Sequence, residues 1–248
     1  MKNGIDVSAL QGRINWSTAG VDFAMVKATQ GRGETKATLG LRVFTDRRFR
    51  ENVENASAAG IALGCYHYLT ARTKDEALFE AEYFCRTIEP YRDRLKLWAA
   101  ADVESPRWLG DLDREKITAV TETFLEQLSS SGWRPMLYTN PDFLKNRFTR
   151  GFDADIWLAH WNVEKPMEVP RLKIWQYGGG NMPGVGVCGL DIGYFGEYSV
   201  GDSYTIKRGD VYSNGLKVPE RLIGRSCTIA QIREERVLLG EINSWVKI

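Results

Sequence analysis

Two carboxylates stand two residues apart at the end of an apolar run, Leu97-Trp98-Ala99-Ala100-Ala101-Asp102-Val103-Glu104. In an extended strand the side chains alternate faces, so Asp102 and Glu104 project to the same side. Crowding two acids at a buried strand end is a poor way to stabilise a protein, because like charges repel and burial penalises them. It is a good way to cleave a glycosidic bond, which needs one protonated acid and one ionised carboxylate. D-x-E triplets also lie on solvated loops and helix faces. Here the apolar run before the triplet is too short for a helix, and Ser105-Pro106 follows it, which favours a strand end.

Other chemistries find little to work with. The 248 residues hold only two histidines, His67 and His160, with no H-E-x-x-H and no G-x-S-x-G. His67, inside an apolar run, reads as a hydrogen-bonded core residue. The cysteines, Cys65, Cys85, Cys188 and Cys227, are widely spaced and form no C-x-x-C, so they read as reduced thiols rather than a zinc site. Gly178-Gly179-Gly180-Asn181 and Gly184-Val185-Gly186 lack the G-K-[ST] tail of a phosphate loop and read as a hairpin connection or groove wall. No metal or cofactor is expected. A net charge of +1 gives no reason to expect nucleic acid or a membrane as partner. The opening Met-Lys-Asn-Gly-Ile-Asp-Val-Ser has no apolar core of a secretory signal, so a chain made in the cytosol is expected. Eight Trp and ten Tyr mostly serve packing, with a few left as platforms for sugar rings.

The acids must be positioned by strands, and eight short apolar runs supply them. They are Gly4–Val7, Phe23–Ala28, Ile61–Tyr68, Leu97–Val103, Pro135–Tyr138, Asp155–Ala159, Lys173–Tyr177 and Leu190–Phe195. Near-continuous apolar character marks strands covered on both faces. Helical patterns intervene at Asp46–Ala59, ending at Gly60, at Thr73–Ile88, and at Asp113–Leu128 with Asp113 as N-cap. Alternating strands and helices predict parallel strands with crossovers. Eight strands in about 195 residues predict a barrel shorter than the usual size of about 250, with helices missing from its second half. Asp6, Tyr66, Tyr68, Asp102, Glu104, Tyr138, Trp161, Gln176 and Asp191 all fall near strand C-terminal ends, where barrel chemistry gathers.

The texture changes after Phe195. The reading divides the chain into a barrel over 1–198, a linker over 199–204 and a small all-β module over 205–248, with turns at Asn214-Gly215 and Gly240. The last segment holds eight Lys and Arg against five Asp and Glu, a weak hint of an anionic polymer as ligand.

With these residues assembled, the barrel part resembles the glycoside hydrolase family 25 muramidases, lysozymes found among phage endolysins and bacterial autolysins. The resemblance rests on Gly4-Ile5-Asp6-Val7-Ser8 with Gln11-Gly12 and Ile14-Asn15-Trp16, then Lys27-Ala28-Thr29, Tyr66-His67-Tyr68 and Asp102-Val103-Glu104. Tyr138, the Trp157–Trp161 segment, Trp175-Gln176-Tyr177 and Leu190-Asp191 continue it in order over about residues 1–196. It implies an α/β fold, a flattened eight-stranded TIM-like barrel with incomplete helices. It implies hydrolysis of the β-1,4 bond between N-acetylmuramic acid and N-acetylglucosamine in bacterial peptidoglycan. Glu104 falls on the general acid, Asp102 on its partner, and Asp6 and Asp191 on supporting acids. Tyr66, Tyr68, Tyr138, Trp161 and Gln176 are the expected substrate contacts. Asn15, Gln30 and Gly193 stand where the family commonly has Asp, Glu and Asn, and the loop Gly31–Thr45 looks longer and more charged than usual. The tail is similar to SH3-like wall-binding modules through Val237-Leu238-Leu239 and Ser244-Trp245-Val246. An endolysin would reach the wall after release from the cytosol. A barrel that binds peptidoglycan without cutting it is the alternative, although all four acids are present.

Same-face neighbours on a strand lie about 6.6 Å apart along the backbone. A direct nucleophile needs about 5–5.5 Å between carboxyls, and a water-activating pair about 6.5–9.5 Å, so spacing alone leaves both open. Muramic acid and glucosamine each carry a 2-acetamido group, and assistance by that group is the favoured route. Whichever route applies, Glu104 must hold its proton above the ordinary pKa of about 4.3, which burial and a neighbouring charge achieve.

Overall fold

The structure, a computed structural model, describes residues 1–33, 42–194, 201–233 and 236–248. Most of the loop Gly31–Thr45, the residue Phe195 and the start of the expected linker at 199–200 therefore lie outside the described residues. The chain forms two compact units. One comprises Lys2–Met167 with Ile174–Gly193, and the other Met1, Glu168–Lys173 and Tyr194–Ile248.

The first unit is built on nine strands: β1 Lys2–Val7, β2 Phe23–Gln30, β3 Phe44–Thr45, β4 Ala62–Tyr68, β5 Leu95–Asp102, β6 Pro135–Thr139, β7 Asp155–Ala159, β8 Leu172–Met182 and β9 Gly186–Gly193. Their order is β1-β9-β8-β7-β6-β5-β4-β2-β3, and β1 also pairs with β2, so eight strands close a ring. The two-residue β3, absent from the sequence reading, lies antiparallel to the end of β2. Pairs from β1 through β2, β4, β5, β6 and β7 are parallel. The expected parallel pairing ends at β9, which runs antiparallel to both β8 and β1, in line with the hairpin that is one of the two readings of the glycine-rich segment 178–186. Only Pro183-Gly184-Val185 joins β8 to β9, and three residues are too few for the crossover a parallel pair needs.

The expected helices form as α1 Phe49–Ala58, α2 Lys74–Ile88 and α4 Arg114–Ser130, with a one-turn α3 at Pro106–Leu109 that sequence reading missed. Thr73 caps α2 by accepting from the Glu76 N–H, and Asp113 caps α4 by accepting from Lys116. Gly60, with φ at 77°, closes α1 in the left-handed conformation that suits glycine. Helix α1 starts three residues later than expected because Asp46 is committed elsewhere. Its carboxylate accepts from the backbone N–H groups of Ala9 and Arg48. After α4 the connections shorten: β6 leads to β7 through one turn of π-helix, Phe143–Arg147.

Helices α2 and α4 cover the outer face of β4, and His67 pins them there. Its ring stacks on Phe124 at 5.0 Å and lies 5.8 Å from Phe84. Nδ1 lies 2.6 Å from the Thr29 hydroxyl and Nε2 lies 2.8 Å from Glu80 of α2. Glu80 also accepts from the Thr70 N–H and hydroxyl. This network is fully buried and hydrogen-bonded, as a polar group in a core must be.

In the second unit β10 Ser203–Thr205, β11 Ser226–Arg233, β12 Arg236–Leu239 and β13 Ser244–Lys247 form an antiparallel sheet in sequence order. Tyr204, Ile206, Val218, Cys227, Ile229, Val237, Leu239 and Val246 make its own apolar core. The Asn214-Gly215 turn forms as expected, with the Tyr212 N–H donating to the Leu216 carbonyl. All four cysteines are free and buried.

Replacing Glu80 by Ala strands three buried donors, so Glu80→Ala is expected to cost about 3 kcal/mol of unfolding free energy. Urea denaturation measures it, and a loss below about 0.5 kcal/mol would contradict the role given to this network.

Candidate active site

Asp102 is the last residue of β5, paired in register with Tyr68 of β4 and Tyr138 of β6. Beyond it the chain stays extended because both neighbours hold it. The Asp102 carbonyl accepts from Leu69 N–H, the Val103 N–H donates to the Tyr138 carbonyl, and the Val103 carbonyl accepts from the Thr139 hydroxyl. Val103 is buried on one side, so Asp102 and Glu104 turn to the other. Ser105 then takes the N-cap position of the short α3 without a side-chain capping bond, with Pro106 at the first position of the helix.

Asp6 near the end of β1 and Asp191 of β9 join them. Asp191 lies near the C-terminal end of its strand as expected, third from last in β9. Because β9 is reversed, that end points away from the C-terminal ends of the parallel strands, and Asp191 sits opposite Gly4 and Gln176, 1% exposed. One Asp191 oxygen accepts from the Trp157 indole at 2.8 Å. Trp157 is packed edge-on by Tyr138 at 4.4 Å and by Tyr66 at 5.9 Å. These rings form the apolar floor under the carboxyls.

Burial is the dominant force on every acid here. It raises Asp6 to about 6, opposed by the hydrogen bond from Gln176. It raises Asp102 well above the usual carboxylate range, aided by Glu104 and opposed by the Lys27 ammonium. Burial and then the Asp6 charge raise Glu104, and the same two causes, in the same order, raise Asp191 well above its usual range. Four such groups in a poorly solvated mouth cannot all be ionised, so the site holds protons near neutral pH. Oδ1 of Asp102 and Oδ2 of Asp191 are buried without a hydrogen-bond partner.

The remaining expected residues gather at the same end of the barrel, in different settings. Glu104, Tyr138, Trp161 and Gln176 line one cavity of about 280 Å³, together with Asn140 and His160. Trp161 is open, 49% exposed, and is the ring best placed to meet a sugar face. Tyr68 is half-buried with the Lys27 ammonium 5.1 Å over its ring. Tyr66 and Tyr138 are buried, and burial raises both phenols well above their usual range. Gln176 is 4% exposed; its Oε1 accepts from the Tyr138 hydroxyl and the Trp161 indole, and its Nε2 donates to Asp6. Among the described residues no group of three or more His, Cys, Asp or Glu side chains is arranged to hold a metal ion.

Sequence reading missed Gly189. It lies opposite Asp6 on β9, and a Cβ there would sit 1.7 Å from Oδ2 of Asp6 and 2.6 Å from Nε2 of Gln176. Only glycine leaves room for the Asp6–Gln176 hydrogen bond. Its signal is three-dimensional, since nothing in Cys188-Gly189-Leu190 marks a turn or a loop.

The fold agrees with that of known proteins. The profile of the glycosyl hydrolases family 25 matches residues 5–185. Lysozyme M1 of Streptomyces globisporus is 30% identical over 197 residues, covering 70% of this chain and 60% of that protein, so the chain spans less than two thirds of this relative. The crystal structure of a bacterial lysozyme from Streptomyces coelicolor superposes with a TM-score of 0.61 at 26% identity, over 79% of this chain and 93% of that one. The spore cortex lytic enzyme SleM of Clostridium perfringens matches 99% of this chain and 86% of its own, with a TM-score of 0.66 at 19% identity, a likeness of fold alone. A profile match over residues 5–185, well over half of the chain, places this chain in the glycosyl hydrolases family 25.

Proposed function

We propose that this protein is a peptidoglycan hydrolase that cleaves the β-1,4 bond between N-acetylmuramic acid and N-acetylglucosamine, with Glu104 as general acid and then base. The observation that carries the reading is the pairing of a half-buried Glu104, held above its usual range, with a buried Asp102 on the same face. One acid that keeps its proton beside a second carboxyl is the minimum that glycoside hydrolysis requires. The lysozymes among the relatives favour the same substrate class.

Of the three routes, assistance by the substrate's acetamido group suits Asp102 best. Its Oδ1 is buried without a partner and would accept a hydrogen bond from the acetamido N–H. The acetamido oxygen then attacks the anomeric carbon as Glu104 gives its proton to the departing oxygen, forming a cyclic oxazolinium. Water then attacks the same carbon, the bond from that carbon to the acetamido oxygen breaks to restore the acetamido group, and the water gives a proton to Glu104, so the enzyme is regenerated. Asp6 and Asp191 stabilise the positive charge of the intermediate, and Trp161 offers its exposed face to a sugar ring.

The tail is proposed as an SH3-like module that binds the cell wall and raises the local concentration of the barrel on its polymer. A separate apolar core and the surplus of Lys and Arg in residues 205–248 support that reading.

Glu104→Gln keeps the shape and removes the titrating proton. It is expected to lower the release of reducing sugar from peptidoglycan at least about 100-fold with an unchanged far-UV spectrum, and near-normal turnover would refute the assignment. Residues 1–198 alone are expected to stay catalytic but to pellet less with purified walls than the full chain. Equal pelleting would remove the binding role of the tail.

A further inference from the structure

Val103 is tied to β6 through both of its backbone groups, but from Glu104 onward the chain leaves the sheet. It enters α3, a single turn whose own bonds run from the Leu109 N–H to the Ser105 carbonyl at 3.0 Å and from the Gly110 N–H to the Pro106 carbonyl at 2.8 Å. One turn is far below the roughly 12–15 residues at which a helix holds itself in water. The last carbonyls of a helix also have no partner within it. Here two arginines from distant parts of the chain supply partners. Arg72 Nη1 donates to the Trp108 carbonyl at 2.6 Å, and Arg147 Nη1 donates to the Gly110 carbonyl at 3.2 Å. Arginine is suited to that task at a helix C-terminus.

Arg72 stands in the connection between β4 and α2 and is itself anchored. Its backbone N–H donates to one oxygen of Glu76 at 2.8 Å, while the other oxygen accepts from Arg32, just after β2, at 2.6 Å. Its guanidinium forks onto both oxygens of Asp111, at 2.7 and 2.6 Å. Nη1 carries two hydrogens, so it serves Trp108 and Asp111 at once. Arg72 therefore grips the segment after Glu104 at two points, four and seven residues beyond the acid. The Asp111 side chain is 70% exposed, and an ion pair this open adds little to stability. What the fork supplies is geometry, because it is planar, two-pointed and short.

We propose that Arg72 is a positioning residue: by holding the Trp108 carbonyl and Asp111, it fixes the path of the chain beyond Glu104 and with it the place of that carboxyl in the mouth. This role rests on Glu104 being the proton donor, and it is what keeps the donor in place once its strand has ended. Upstream of the acid, β6 holds Val103. Downstream, Arg72 and Arg147 hold the end of α3, and Leu109 is fully buried. A proton donor needs both anchors, because a displacement of about 1 Å can cost about 100-fold in rate.

The reach of Arg72 is mechanical. Among the described residues the influences on the Glu104 carboxyl are burial, then the Asp6 charge of β1, with the Tyr138 hydroxyl of β6 opposing them. Asp102 of β5 is raised by burial and then by Glu104, with the Lys27 ammonium of β2 opposing. The phenols of Tyr66 on β4 and Tyr138 are raised by burial and then by acids, Glu104 among them. Asp191 of β9 is raised by burial and then by Asp6. His160 after β7 lines the same cavity as Glu104. Burial comes first at Glu104, so a segment that loosens and lets the carboxyl toward water weakens its hold on the proton.

The test is kcat, KM and the pH dependence of kcat/KM on purified peptidoglycan for the full chain. Arg72→Ala releases both grips. Its kcat is expected to fall at least about tenfold with KM nearly unchanged. The limb on the basic side is expected to move to lower pH, because Glu104 gains solvent and loses its proton sooner. Arg72→Lys keeps the charge without the fork and is expected to show the same pattern to a smaller degree. It carries the test if the far-UV spectrum shows that Arg72→Ala does not fold. Unchanged kcat and limbs overturn the proposal. So does a loss confined to KM, which would make Arg72 a substrate contact, and so does a loss of kcat with both limbs in place, which a merely weakened fold would give. Glu104→Gln, measured alongside, separates the two ideas. If it stays active the acid assignment has failed, and if it is inactive while the Arg72 variants keep kcat and limbs only the role of Arg72 has failed.

Discussion

The mouth of this barrel gathers Asp6, Asp102, Glu104 and Asp191 where burial is the largest influence on each of them. That crowding is the constraint on which the rest depends. In water these groups would all be ionised at neutral pH. In a poorly solvated pocket they must shed charge, take protons, or find donors. The structure supplies donors selectively. Gln176 serves Asp6, Trp157 serves Asp191, and Lys27 offsets Asp102. At Glu104, burial and the Asp6 charge outweigh the opposing Tyr138 hydroxyl, so it stays raised and is the acid left to carry a mobile proton. An acid–base pair thus emerges from different surroundings around chemically similar groups.

The scaffold is shaped to allow this. Reversal of β9 sets Asp191 deep in the wall and brings Gly189 beneath Asp6. The absence of a side chain at Gly189 lets β1 and β8 share the short Asp6–Gln176 bond. Trp157, wedged between Tyr66 and Tyr138, gives the carboxyls an apolar floor. Outside the ring, the His67–Glu80 pair and its Phe84 and Phe124 neighbours tie α2 and α4 to β4, adjacent to the strand that carries Asp102. Packing on the outer face thereby fixes the chemistry on the inner one.

Much of this was legible in the sequence because its signals are local. Alternation along a strand put Asp102 and Glu104 on one face, apolar runs marked eight strands, and Thr73, Asp113 and Gly60 announced helix ends. What escaped depends on partners distant in sequence. The start of α1 shifted because Asp46 serves Ala9, 37 residues away. The two-residue β3 is too short to leave a pattern. The reversal of β9 follows from a three-residue connection, and it turns the strand end that carries Asp191 away from the ends of the parallel strands. Gln176, read as a substrate contact from its type and position, lines the cavity, and its hydrogen bonds to Asp6, Tyr138 and Trp161, all distant in sequence, could not be read from the chain.

The central claim is that the proton held at Glu104 is spent on a glycosidic bond. Digestion of purified peptidoglycan by the full chain, scoring new reducing ends against new free amines and identifying the sugar exposed, tests it most directly. The account predicts new reducing N-acetylmuramic acid with no rise in free amines. New amines without reducing ends would make the protein an amide hydrolase and contradict the site, and neither product from walls that the protein demonstrably binds would contradict catalysis altogether.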